Sequence, residues 1–122
     1  MRSLIFVFGL VLLVTSCKKD EEKENTICFT RTATKLKIEN NTNEIVYIAP
    51  FGQNFSYTID WAPLCSNNNV QANSSIEMEL SSITGYTNDD KIVVYWWECS
   101  GNNSQNVYDV ALNKNQSDCQ LF

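Results

Sequence analysis

The longest β-rich stretch of this chain is Lys91-Ile92-Val93-Val94-Tyr95-Trp96-Trp97-Glu98-Cys99. Branched and aromatic side chains favour extended backbone, and successive residues of a strand point to opposite faces. The two faces are therefore Ile92, Val94 and Trp96, and Val93, Tyr95, Trp97 and Cys99. Both are apolar, whereas a two-layer sandwich hides only one face of each strand unless another segment covers the second.

Shorter stretches on both sides repeat this period of two. The clearest is Ile76, Met78 and Leu80 alternating with Glu77 and Glu79; the others are residues 35–39, 44–49 ending at Pro50, 55–59 and 106–112. Polar turns separate them, and no segment of useful length has a helical period. We therefore predict one all-β domain over residues 27–122. It is expected to be a small antiparallel β-sandwich, immunoglobulin-like or jelly-roll-like, with a small barrel as the alternative.

The N-terminus has a different pattern. Arg2 precedes an apolar run over residues 4–14, which ends in Val14-Thr15-Ser16-Cys17. The run is shorter than the roughly 20 apolar residues of a transmembrane helix. The tetrad resembles the lipobox of bacterial lipoproteins, in which the cysteine is acylated and the chain is cut just before it. This resemblance implies a cleaved signal peptide over residues 1–16, and a lipid on Cys17 that anchors the protein to the outer membrane of the cell envelope. A plain secretory signal is the alternative, and it would leave Cys17 as an unpaired thiol.

Residues 17–26 hold this cysteine and the charged run Lys18-Lys19-Asp20-Glu21-Glu22-Lys23-Glu24. A run of this composition has nothing to bury, so we predict a solvated tether. It resembles the charged export signal that follows the acylated cysteine in surface-exposed lipoproteins of Bacteroidota-type bacteria. That resemblance implies display on the cell surface, and an ordinary periplasmic spacer is the alternative.

Four further cysteines lie in the predicted domain: Cys28, Cys65, Cys99 and Cys119. An even number in a small exported domain is typical of two disulfides, and the chain has neither a Cys-x-x-Cys pair nor a histidine to support a zinc site. Cys99 ends one strand of a predicted hairpin, which puts Cys119 at the far end of that hairpin. This geometry disfavours Cys99–Cys119 and leaves two of the three possible connectivities open, of which we favour Cys65–Cys99 with Cys28–Cys119.

Charge and residue usage exclude several functions. Removal of Arg2 with the signal peptide takes the formal net charge from −5 to −6, and no basic cluster opposes it, so nucleic acid is not an expected partner. The chain has no histidine, no Gly-x-Ser-x-Gly motif and no glycine-rich phosphate loop. We expect neither enzyme activity nor a cofactor. Asp89-Asp90 and the pair Glu77 and Glu79 are weak candidates for calcium binding and for glycoside hydrolysis; a solvated turn and an outward strand face explain them.

The adjacent residues Trp96 and Trp97 are the main candidates for ligand binding. They point to opposite faces of one strand, so two arrangements are open. Either one tryptophan stands at the surface, where Trp61, Tyr95 and Tyr108 would extend an aromatic platform, or the core covers one and the loop with Cys65 covers the other.

These features favour a non-catalytic binding module for a protein or a glycan. One alternative is a small disulfide-stapled inhibitor or immunity protein against a toxin or protease. Another is a structural subunit of an outer-membrane complex.

Overall fold

The structure, a computed structural model, describes residues 25–122. The predicted signal peptide, Cys17 and the charged run through Glu24 lie outside the described residues. The strands are β1 Thr26–Arg31, β2 Lys35–Asn40, β3 Val46–Gly52, β4 Asn69–Val70, β5 Ser74–Glu79, β6 Ile92–Trp97, β7 Cys99–Ser100, β8 Asn103–Ser104, β9 Tyr108–Leu112 and β10 Ser117–Leu121. A helical turn, α1 Gln53–Ser56, follows β3, and a 3₁₀ turn, Leu80–Ser82, follows β5.

These strands form two four-stranded antiparallel sheets, so the predicted all-β sandwich is confirmed. The order is β10-β1-β2-β5 in the first sheet and β4-β3-β6-β9 in the second, with β7 and β8 as a separate small hairpin. The orders β1-β2-β5 and β4-β3-β6-β9 correspond to strands A-B-E and C′-C-F-G of an immunoglobulin-like sandwich. Strand β10 is an addition beside β1.

Alternate residues of each strand supply the core, as the period of two requires. In the first sheet Ile27, Phe29, Leu36 and Ile38 are fully buried, and in the second sheet Val46, Ile48, Ile92, Val94, Trp96 and Leu112 are buried. Met78 and Ile76 of β5 pack against this cluster from the edge of the first sheet. The core therefore lies between the two sheets, and β6 is the central strand of the second.

The prediction that Pro50 ends its strand is wrong, because β3 continues through Pro50 to Gly52. Pro50 lies opposite Val94 of β6, but its nitrogen points away from that strand. The neighbouring amides on the same side, those of Ile48 and Gly52, donate to the carbonyl oxygens of Asn68 and Thr84. Because β4 is only two residues long, no strand lies beside Pro50 on that side, and its missing N–H leaves no ladder bond unmade.

The predicted strand over residues 55–59 is also wrong, since this segment begins within α1. The Gln53 N–H donates to the carbonyl oxygen of Lys91, and the Asn54 N–H donates to the carboxylate of Asp90 at 2.7 Å. Ser56 Oγ returns a bond to the Gln53 carbonyl oxygen. Turn contacts thus satisfy the backbone without a neighbouring strand.

Both predicted disulfides are confirmed. Cys28 of β1 and Cys119 of β10 lie directly opposite each other on paired strands, with their Cα atoms 4.0 Å apart. Cys65, in the loop before β4, bonds to Cys99 just beyond β6, with a Cα separation of 6.0 Å. The first bond lies within one sheet, and the second fastens a loop to the small β7–β8 hairpin, two residues beyond the end of β6.

Candidate functional site

Trp96 is part of the core and is 1% exposed. Tyr108 and Phe122 stack on its ring at centroid distances of 4.7 and 5.9 Å. Its indole Nε1 donates to Gln120 Oε1 at 2.8 Å. Of the residues in this stack, Tyr108 remains about half exposed, whereas Trp96 itself cannot reach a ligand.

Trp97 points to the outer face of the second sheet, yet it is completely buried. The ring of Trp61, at the start of the loop that contains Cys65, lies 5.8 Å from it. Trp61 also packs 4.6 Å from Tyr95 and 5.9 Å from Phe51. A second, smaller aromatic layer therefore covers this outer face. Neither Trp96 nor Trp97 is exposed, so the structure contains no tryptophan platform at these two positions. The core covers Trp96, and the loop with Cys65 covers Trp97.

The Cys65–Cys99 bond holds this loop against β6. Two side chains of the segment between α1 and Cys65 project into solvent: Tyr57 is 73% exposed and Leu64 is 54% exposed. Their apolar surface lies on a segment that is fixed at one end by the disulfide and at the other by α1. The loop is thus preorganised and presents apolar contacts.

An open cleft of about 490 Å³ lies beside this loop, at the edge of β3 that the short β4 leaves uncovered. Its two side walls are residues 66–68 and residues 82–84. Pro50 and Phe51 of β3 and Met78 of β5 also line it, so part of the inter-sheet core is accessible there. Next to the cleft, Gly52 lets the following turn approach β3 closely, because a Cβ at this position would overlap the carbonyl oxygen of Gly85.

Four of the five polar side chains that line the cleft are available for binding, whereas the Ser82 hydroxyl donates to the Glu79 carbonyl oxygen. Those of Ser66, Asn67, Asn68 and Thr84 make no side-chain hydrogen bond to any residue within 25–122. None of the described residues that line the cleft is charged. The cleft therefore offers amide and hydroxyl donors and acceptors beside an apolar floor. The sequence predicted a loop with Cys65 but not this site, because only the disulfide and the shortness of β4 create it.

The other polar side chains of interest have structural roles. Asn40 and Arg31 are both 1% exposed and bond to backbone carbonyl oxygens. Asp90 holds the start of α1 through the Asn54 N–H. Glu77 and Glu79 lie 4.0 and 3.9 Å from Lys35 Nζ on an exposed strand face. No group of three or more His, Cys, Asp or Glu side chains within the described residues could hold a metal ion.

A shifted pKa is found at the surface of the first sheet, away from the cleft. A hydrogen bond and ion pair with Glu39, at 3.0 Å, raise the pKa of Lys37. Lys37 therefore stays protonated throughout the neutral range, and it takes no part in the cleft.

Comparisons with protein-family models, curated proteins and solved structures found no match. Among residues 25–122, no helix has the length and apolar character needed to cross a membrane.

Proposed function

We propose that the protein is a cell-envelope lipoprotein whose β-sandwich is a non-catalytic binding module for a protein or a glycan. The observation that carries the binding part is the open cleft beside the Cys65–Cys99 loop. It joins unengaged polar side chains to an apolar floor, which is the usual make-up of a ligand site. Cleft and loop are held by a disulfide, so little ordering is needed when a ligand binds.

The anchor part of the proposal is supported by the tetrad at residues 14–17 and the charged run after it. A lipid on Cys17 would hold the domain close to the outer membrane, since eight steps along the chain to Asn25 span at most about 28 Å. The charged run supports display on the cell surface rather than in the periplasm.

The anchor is tested by Cys17→Ser, because a serine cannot form the thioether to lipid. We expect metabolically incorporated palmitate to label the wild-type chain and the control variant Ser3→Ala, and to be absent from Cys17→Ser. The variant should leave the membrane fraction. Equal labelling of Cys17→Ser would contradict the lipoprotein proposal, and resistance to protease added to intact cells would contradict surface display.

The binding part is tested with extracted envelope polysaccharide and solubilised membrane protein passed over the immobilised full chain. We expect a component that the wild-type chain and Asn106→Ala retain, and that the double variant Asn67→Ala, Asn68→Ala loses. Asn106 is an exposed residue outside the cleft, so it is a matched control. Retention that does not differ among the three chains would contradict the role of the cleft.

An inhibitor or immunity protein is the second candidate, and the exposure of Tyr57 and Leu64 favours it. Apolar side chains on a disulfide-held loop suit insertion into a partner's pocket. In that case, Tyr57→Ser and Leu64→Ser would abolish complex formation with a secreted toxin or protease, and the two cleft substitutions would leave it intact.

A structural subunit of an outer-membrane complex is favoured by a different surface. Tyr108, Leu121 and Phe122 expose apolar area at the end of the sandwich where Asn25 lies, and the Phe122 N–H donates to the Asn25 carbonyl oxygen. A membrane partner that copurifies stoichiometrically with the wild-type chain and is lost from Tyr108→Ser would support this candidate.

A further inference from the structure

We infer, building on the proposed binding function, that the cleft between residues 66–68 and 82–84 takes a neutral saccharide rather than a peptide segment or an ion. Three properties of the cleft carry this inference: its lack of charge, its unengaged amides and hydroxyls, and the backbone of β3 at Pro50.

The first property is charge. The domain is acidic overall, yet none of the described residues lining the cleft carries a charge. An anionic or cationic ligand would lose its hydration there without gaining an opposite charge. A ligand without formal charge avoids this cost.

The second property is the set of polar groups on the walls. Asn67 and Asn68 stand on one wall and Thr84 on the other, and their side chains have no bonds to other described residues that a ligand would need to break. An amide and a hydroxyl each donate and accept, as sugar hydroxyl groups do. Between the walls, Pro50 and Met78, both partly exposed, present apolar surface to the C–H face of a sugar ring.

The third property is the exposed edge of β3. An extended peptide binds a sheet edge by continuing its ladder of backbone hydrogen bonds. Here Pro50 has no N–H, and the amides of Ile48 and Gly52 already donate to Asn68 and Thr84. No backbone donor of β3 is left between these two bonds. The edge is therefore protected against strand addition, as edges guarded by proline are.

The volume of about 490 Å³ lies within the range of small-molecule sites, and the cleft is open on one side. A short oligosaccharide fits such a site because its remaining units can extend into solvent. The ligand class that meets all of these conditions is a neutral oligosaccharide.

The test uses the full chain on an array that carries neutral oligosaccharides, acidic oligosaccharides and extended peptides. We expect retention on neutral oligosaccharides, with affinity about five- to tenfold weaker for Asn67→Ala and for Thr84→Ala, the loss of one hydrogen bond each. Asn106→Ala should bind as the wild-type chain does. Pro50→Ala supplies the backbone donor that the edge of β3 lacks, so we expect this variant, unlike the wild-type chain, to retain extended peptides.

Two outcomes would overturn the inference. One is retention of extended peptides by the wild-type chain, which would make the cleft a strand-addition site although Pro50 is present. The other is no retention of neutral saccharide by a chain whose two disulfides and β-rich circular dichroism are intact. In either case, a component retained from envelope extracts and lost from the double variant Asn67→Ala, Asn68→Ala would still support the broader binding function, so the two proposals fail separately.

Discussion

Asn40 illustrates how a single buried side chain sets local structure. Its Nδ2 lies 2.7 Å from the carbonyl oxygen of Glu44, 3.0 Å from that of Val70 and 3.2 Å from that of Gln71. Its Oδ1 accepts from the backbone N–H and the hydroxyl of Thr42 at 3.0 and 2.7 Å. Asn40 thus ties the turn after β2 to the connection between β4 and β5. No pattern in the sequence distinguishes it from the other asparagines that form turns, because the difference is long-range contact.

We predict that Asn40→Asp is destabilising and that the loss depends on pH. A carboxylate would face the three carbonyl oxygens that now accept hydrogen bonds, which raises its pKa in the folded state above the value of about 3.9 in the unfolded chain. A raised carboxyl pKa costs stability above the unfolded value, and this cost disappears as pH falls and the group is protonated in both states. We expect a loss of about 3 kcal/mol at pH 7, from the unpaired buried charge, and a clearly smaller one at pH 4.

Urea unfolding of both chains at the two pH values measures this. Asn106→Asp, on an exposed loop, is the matched control and should cost little at either pH. An equal loss for Asn40→Asp at pH 7 and pH 4 would show that the carbonyl cluster does not act on the new carboxyl group.

At the scale of elements, alternation of side chains was sufficient to predict β2, β5 and the core positions on them. The run of branched and aromatic residues predicted β6, but not which of its two apolar faces lies in the core. It was not sufficient where long-range pairing decides. Strand β10 has too few apolar residues to be distinguished from a turn, and the pairing with β1 holds it, including the pair Cys28 and Cys119. The effect of Pro50 was predicted wrongly because a strand tolerates proline where its nitrogen faces an unpaired edge. That edge is unpaired at Pro50 because β4 is only two residues long. The cleft depends on the short length of β4 and on the Cys65–Cys99 bond, which are both set by long-range contacts. The candidate site could therefore not be predicted from the sequence.

The two disulfides also act on different elements, and we predict that their removal has different effects. They close loops with sequence separations of 34 and 91 residues. Removing Cys65–Cys99 or Cys28–Cys119 by paired alanine substitutions should cost about 4 and about 4.5 kcal/mol, on a loop-entropy model. Only the first pair fastens the segment that carries Trp61. Its loss should therefore expose this ring in the native state, whereas the loss of the second should leave it covered.

Acrylamide quenching of tryptophan emission in native buffer measures the difference. We expect stronger quenching and a red-shifted maximum for Cys65→Ala, Cys99→Ala than for Cys28→Ala, Cys119→Ala. Identical quenching of the two paired variants would mean that the aromatic contacts of Trp61, not the disulfide, hold the loop.

At the scale of the whole molecule, neither disulfide joins one sheet to the other. Polar contacts at both ends of the sandwich do so, and one of them is the bond from Asn40 of β2 to the Val70 carbonyl oxygen of β4. Arg31, at the end of β1, donates from Nη1 to the carbonyl oxygens of Asp90 and Leu112 at 2.8 and 3.0 Å. Asp90 lies just before β6, and Leu112 is the last residue of β9. At the other end, Trp96 of β6 donates to Gln120 of β10. The sheets are thus held by apolar packing between them and by polar contacts at each end, among them those of Arg31 and Gln120.

We predict that these two contacts contribute independently. Arg31→Met keeps the length of the side chain but leaves two carbonyl oxygens without their donor, and it should cost about 2 kcal/mol after the gain from burying a neutral group. Gln120→Leu removes the partner of a buried indole N–H and should cost about 1 kcal/mol. Gln120 lies opposite Ile27, four residues along β1 from Arg31, which places the two sites about 13 Å apart. Sites at such a distance without shared partners add within about 0.5 kcal/mol, so the double variant should lose about 3 kcal/mol in urea unfolding. A loss of unfolding free energy well below this sum would contradict independence. It would show that breaking the contact at one end already weakens the contact at the other.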